Sequence, residues 1–219
     1  MPQSQSHKAQ MFRPFNMLIL VAVGLTAPLI AGPGIASARA AATPQFIAEI
    51  SAFRDEIGMA ASATRVLDRW CASHHMAPAG AVIAEKIANK LVPATARLRR
   101  TLQLKASDHV QLRHVRLRCN GHILSVARLW YVPSRLPASM EASLQQTGTP
   151  FGKVVAPLYL DRKSAGSSSA WLPKGGQPTA KTPPRTLFSQ RALMSRPDGL
   201  PIAYVVEDYQ RGLLGFTPN

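Results

Sequence analysis

Cysteine is nearly missing from this 219-residue sequence, which has only Cys71 and Cys119. Two cysteines cannot build a disulfide scaffold, and cysteine and histidine together are too sparse for a structural zinc site. Acidic residues are scarce too: 11 stand against 26 Lys and Arg, for a net charge of +15. Aromatic residues make up 6% of the chain. The basic stretch Pro93 to Leu104, with Arg97, Arg99 and Arg100, contains none of them. It therefore lacks the stacking platforms of a single-strand nucleic-acid site. The apolar run Met17 to Ile30 has 14 residues, short of the roughly 20 that cross a bilayer. Disorder throughout is excluded by a 46% hydrophobic content. One long helix or coiled coil is excluded by 18 prolines and 14 glycines.

The amino-terminal segment has the order of an export signal. Lys8 and Arg13 precede the apolar run, Gly32-Pro33-Gly34 breaks it, and Ala38-Arg39-Ala40 has small residues around a cleavage position. The expected mature domain is 41–219, after removal of a signal over 1–40, and the destination is periplasmic or secreted. An uncleaved membrane anchor is the alternative. Cleavage after Ala40 leaves 179 residues with 23 basic and 11 acidic side chains, a net +12. That length suits one domain with a real core and no membrane span. Export would put Cys71 and Cys119 in an oxidising compartment, as a bridge or as two buried thiols.

Thr43-Pro44 reads as an N-cap with proline at the first helical position, and Phe46, Ile47, Ile50, Phe53 and Ile57 follow at helical spacing. Ser62 can cap a second helix whose inner face is Val66, Leu67, Trp70 and Cys71. His74 and His75 are adjacent and point apart, a poor metal site. Ala81 to Ile87 suits a short strand. Val110 to Cys119 and His122 to Val132 suit a hairpin around Asn120-Gly121, a type I′ turn signal. A strict two-residue loop sets Val115 opposite Val126, Leu117 opposite Leu124 and Arg113 opposite Arg128. His114, Arg116, Arg118, Ser125 and Ala127 then fall on a wetter face. Arg113 shares the apolar face with Val115 and Leu117 and needs an anion there, from the protein or from a ligand. The alternative is that both arginines reach out to solvent at the sheet's end.

Pro137 can open a short helix with Met140 and Leu144 one turn apart. Residues 164–184, rich in Ser, Gly and Pro, read as a mobile loop anchored by Trp171 and Leu172. Thr186 to Ser195 and Ile202 to Val206 read as strands, the second apolar on both faces and so central, with Glu207 and Asp208 ending it. The fold class is α+β: a curved antiparallel sheet with helices on one side.

Several of these blocks resemble the chorismate pyruvate-lyase family. They are Leu112-Arg113-His114-Val115-Arg116-Leu117 running on to Tyr131-Val132-Pro133, then Leu144 through Pro150-Phe151-Gly152, then Leu187 through Arg191, Gly199 and Pro201 to Glu207. Ser62-Ala63-Thr64 adds a weaker match. The resemblance implies a buried site that splits chorismate into 4-hydroxybenzoate and pyruvate without metal or cofactor. It also implies a fold shared with effector-binding domains of transcription regulators. Carried over by position, Arg113 clamps a carboxylate and Glu207 is the acid/base or hydroxyl partner. Phe151 stands where the family has leucine, and Ala63 where it has methionine. Arg128 and Arg191 complete the expected substrate-binding set. Two further readings stand beside catalysis. One is an exported, non-catalytic binding protein for a small aromatic carboxylate, monomeric and without specific nucleic-acid binding. The other is a basic envelope protein for anionic polymers, which would leave Arg113 and Glu207 exposed and apart.

Overall fold

The structure, a computed structural model, describes residues 43–215. The expected leader and its cleavage position lie outside them. Among the described residues no helix is long and apolar enough to cross a membrane.

Helix α1 (Pro44–Met59) begins as its sequence dictates: the Thr43 hydroxyl accepts the Phe46 N–H at 3.3 Å and Pro44 occupies the first turn. Helix α2 (Ala63–Ser73) is capped by Ser62, whose hydroxyl accepts the Arg65 N–H at 3.4 Å. These caps satisfy amides that no helix can satisfy internally. Ile50, Phe53 and Ile57 of α1 and Val66, Leu67 and Cys71 of α2 are buried. Phe53 sits edge-on to Trp70 and Tyr209, at ring-centre distances of 4.6 and 5.6 Å.

The sheet has six strands: β1 (Ile83–Val92), β2 (Val110–Cys119), β3 (His122–Tyr131), β4 (Asp161–Ser168), β5 (Thr186–Ser195) and β6 (Pro201–Gln210). Their spatial order is β1-β2-β3-β6-β5-β4, antiparallel throughout. One face carries the main core beneath α1 and α2, together with α4 (Ala138–Gln146) and α5 (Phe151–Val154). At one end of the other face, α3 (Ala96–Thr101) lays Leu98 and Leu102 on Val110, Val132 and Trp130. Cys71 of α2 is joined to Cys119 at the end of β2 by a disulfide, so the two cysteines form a bridge.

The hairpin departs from its expected register. Asn120 turns it with φ of 52°, and Cys119 faces His122. A bulge between Leu117 and Arg118 then slips every later pair by one residue. Val115 faces Ala127, Leu117 faces Ser125, and Arg113 faces Leu129. The like-charge pair Arg113 with Arg128 therefore does not form; Arg128 faces His114. The slip also turns Ser125 and Ala127 onto the buried face, since side chains alternate along a strand.

Three other boundaries differ. β1 runs on to Val92, well past the expected end at Ile87. β6 does not stop at Glu207: it continues through Asp208 to Gln210. The first five residues of the expected 164–184 loop belong to β4, an edge strand too polar to alternate. The rest of that loop is pinned where the sequence suggested. Trp171 and Leu172 are buried, the Trp171 indole donates to the Ala180 carbonyl at 2.9 Å, and Arg54 of α1 donates to the Leu172 carbonyl at 2.7 Å.

Candidate functional site

A cavity of about 320 Å³ lies between the inner face of the sheet and a roof made of the start of α2 and residues 151–160. Its floor is apolar, built from Val115, Leu117, Ala127, Leu129 and Val205. The roof fits closely because Gly152 has no side chain: a Cβ there would lie 2.8 Å from Thr64 Oγ1 and 3.2 Å from Ser62 Oγ. Strand order places Arg113 on β2 and Arg162 on β4, four strand spacings apart. At ~4.8 Å each this is ~19 Å along the sheet. Both line the one cavity, so the sheet curls around it.

Arg113 is 1% exposed. It donates through Nη1 to the carbonyl of Leu144 and through Nη2 to that of Thr149, the latter at 2.9 Å. Leu144 lies in the last turn of α4, where carbonyls lack helical partners and a cation is favoured. The guanidinium thus ties β2 to the α4–α5 connection. Its Nε is buried with no hydrogen-bond partner. Burial lowers its pKa from the ordinary arginine value, while Tyr131 and Glu141 oppose that shift; arginine nevertheless remains charged in proteins. Among the described residues no carboxylate forms an ion pair with it.

Glu207, 4% exposed, lines the same cavity from β6. Its Oε1 accepts from the Ser125 hydroxyl at 2.6 Å. Burial raises its pKa above the usual carboxylate value, against the pull of the Ser125 and Tyr209 hydroxyls and the charge of Arg162. A raised acid pKa means that the folded state holds the proton over a range where the unfolded state has released it. Stability from this group is then full below about pH 4.5, the unfolded value, and is lost as pH rises toward the folded pKa. Glu207→Gln should remove that decline. The melting temperature of the variant should gain on the native protein from pH 4.5 upward. Asp108, held low by the Lys105 N–H and Arg135, titrates alike in both proteins and cancels. Parallel melting curves against pH would contradict the assignment.

Phe151 and Ala63 also line the cavity. Arg128 and Arg191 do not, because both occupy strand positions whose side chains face away from it. Arg128 pairs with Asp208 at 3.3 Å and is about half exposed. Arg191 stands between Gly166 and Val206 in the sheet, with its guanidinium packed over Gly166. Of the residues expected to bind substrate, Arg113, Phe151 and Ala63 thus line the cavity, and Arg128 and Arg191 lie away from it. Arg162 lines the cavity with them, and Ser125 is tied to it through its hydrogen bond to Glu207. Arg162 escaped notice because β4 has no apolar alternation, and Ser125 because the bulge is invisible in a two-residue turn. Among the described residues no group of three or more His, Cys, Asp or Glu could hold a metal ion.

Arg113 and Glu207 are thus buried and share one cavity, whereas the polymer-binding reading expects them exposed and apart. No family model matches the chain. It is 36% identical over 168 residues to the uncharacterized protein y4mC of Sinorhizobium fredii (strain NBRC 101917 / NGR234), covering 71% of each sequence. Solved structures align at lower identity. One is PhnF from Mycobacterium smegmatis, at 15% identity and a TM-score of 0.48, over 70% of this chain and 65% of that one. Its effector domain aligns at 14% and 0.43, over 59% and 80%. The ligand-binding domain of a regulator assigned to the GntR family, from Bordetella bronchiseptica, aligns at 17% and 0.42, over 59% and 83%.

Proposed function

The chain belongs to the family of the Sinorhizobium fredii protein y4mC, and we propose that it binds a small aromatic carboxylate in the cavity between the sheet and the α2–α5 roof. One observation carries this reading: the Arg113 guanidinium lines an apolar cavity with a buried, unpartnered Nε and no acid in ion-pair range. A buried charge is stable only when paired or fully hydrogen-bonded. Two backbone carbonyls meet part of that need, and a ligand carboxylate would meet the rest. The volume of about 320 Å³ is at the small end of ligand pockets, roughly 300–1,000 Å³, and suits a single ring. Val115, Leu129 and Phe151 would pack the ring, and Glu207 would hydrogen-bond a ring hydroxyl. Export belongs to the same reading and is supported by the Cys71–Cys119 bridge, since disulfides persist in oxidising compartments.

A second reading is favoured by Glu207. A carboxyl whose pKa is raised by burial is suited to donate or shift a proton. In that case the cavity cleaves chorismate to 4-hydroxybenzoate and pyruvate, as the sequence resemblance implies. Arg113 would fix a carboxylate, and closure of the roof over the substrate would exclude water.

Calorimetric titration with 4-hydroxybenzoate, alongside an absorbance assay with chorismate, tests both readings. Saturable one-to-one binding of 4-hydroxybenzoate without turnover is the expected result. Turnover that vanishes in Glu207→Gln would place the enzyme reading first. Absence of both binding and turnover would overturn the carboxylate site.

A further inference from the structure

The face of the sheet opposite the cavity is covered only at one end, by α3. Cross-strand register fixes what the rest of it presents. One row runs across all six strands: Ala88, His114, Arg128, Val206, Arg191 and Gly166. The next row toward α3 begins with Lys90 and ends with Lys163. The next row away from it holds Glu85, Arg116, Val126 and Asp208, and Arg118 lies beyond, opposite Ile83. Six cations thus stand against Glu85 and Asp208, with Asp161 exposed at a corner. Arg116 and Arg118 share Glu85, each at 2.8 Å, and Arg128 has Asp208. Arg191, Lys90 and Lys163 form no ion pair among the described residues. Nor do Arg97, Arg99 and Arg100 of α3, all three exposed.

The helices over the other face are close to balanced: Glu49, Asp55, Glu56 and Asp68 stand against Arg54, Arg65 and Arg69 on α1 and α2. The positive excess is therefore gathered on one side of the domain. Half-buried Val126 and Val206 lie between its charges, and Ile83, on the β1 edge, is 56% exposed. We propose that this face, with α3, is a docking surface for an anionic phospholipid bilayer. The cations are spread as an area across five strand spacings, ~24 Å, which matches a plane of headgroups. A nucleic-acid backbone is instead a line of phosphates. The aromatic rings of this face, Trp130 and Tyr204, are packed against the α3 cluster and are not free to stack on bases. Guanidinium groups hydrogen-bond lipid phosphates, and Ile83 adds an apolar contact at headgroup level. The cavity lies on the opposite face, so docking is independent of what it binds.

The test is sedimentation of the full chain with vesicles of phosphatidylcholine, alone or with about one-third phosphatidylglycerol, at about 0.15 M salt. Native protein should bind the anionic vesicles and leave the neutral ones in suspension. Each basic side chain near an anionic surface contributes about fivefold in partition. Arg97→Gln with Arg99→Gln and Arg100→Gln should therefore weaken binding about thirtyfold or more. Arg118→Gln with Arg128→Gln and Arg191→Gln should do the same. If that variant does not fold, the α3 variant carries the test, since its three side chains are exposed. The control removes three exposed cations elsewhere, Arg65→Gln on α2 with Lys174→Gln and Lys181→Gln in the loop anchored by Trp171 and Leu172; it should change binding less than about threefold. Equal losses in the control and the face variants would reveal a diffuse effect of net charge. Unchanged binding in both face variants would assign it to another part of the chain. Either result overturns the proposal, as does native protein that ignores anionic vesicles or leaves them for a duplex DNA competitor.

Discussion

Replacing Arg113 by methionine should cost about thirtyfold or more in affinity for an aromatic carboxylate while leaving the melting temperature nearly unchanged. The two halves of that expectation have different physical origins. Removing the cationic partner of a desolvated, hydrogen-bonded carboxylate typically costs 2–5 kcal/mol or more, which is about thirtyfold to several thousandfold in binding. Stability answers to opposing terms. Methionine strands the carbonyls of Leu144 and Thr149, at about 1–3 kcal/mol for each buried group left unsatisfied. It also removes a buried charge that has no ion-pair partner and an orphaned Nε, and exchanging buried ionic groups for apolar ones is often neutral or stabilising. These terms are of similar size and opposite sign. Arg113→Lys sharpens the test: an ammonium can satisfy one carbonyl but cannot offer a planar fork to a ligand, so most of the affinity should still be lost. Titration and thermal melting of both variants check the expectation. Unchanged affinity in the methionine variant would remove Arg113 from the site.

How far the site was legible follows from how local each signal is. Thr43, Ser62 and the helical spacing after them act within one or two turns, and α1 and α2 begin where those residues place them. Arg113 was legible because strand alternation put it beside Val115 and Leu117, and both its burial and its place in the cavity follow. Glu207 was legible by the same alternation, from Val205. The partners of these residues were not legible. A bulge depends on packing across strands, so the one-residue slip that brings Ser125 to Glu207 and carries Arg128 away from Arg113 leaves no mark in a ten-residue window. Arg162 is the extreme case. Its strand is an exposed edge with the burial of a loop, and only the curl of the sheet brings it to the cavity. Arg191, attractive as part of a sequence block, falls on the opposite face because it sits one residue from Gln190 and Ala192, both of which are buried.

Loss of the Cys71–Cys119 bridge should be the largest stability change that a conservative substitution can make here. The closed loop spans 48 residues. On the chain-entropy account, closing a loop of that length removes about 4 kcal/mol of freedom from the unfolded state. For a domain of this size each kcal/mol moves the melting temperature by about 2–4 °C, so Cys71→Ala with Cys119→Ala should lower it by roughly 8–16 °C. Both sulfurs are fully buried, so a reductant should act only as the chain opens; native protein should resist it at temperatures well below the transition. The bridge also bears on the cavity. It fastens α2 to the end of β2, and the first turn of α2, with Ala63 and Thr64, forms part of the roof. The double variant should therefore bind ligand more weakly even where it is fully folded, whereas an effect confined to the unfolded chain would leave affinity untouched. Calorimetric melting, paired with titration at a temperature where both proteins are native, separates the two. A double variant that melts within 2–3 °C of the native protein would mean that the α2–β2 contact is held by the packing of Leu67, Leu117 and Leu124 alone.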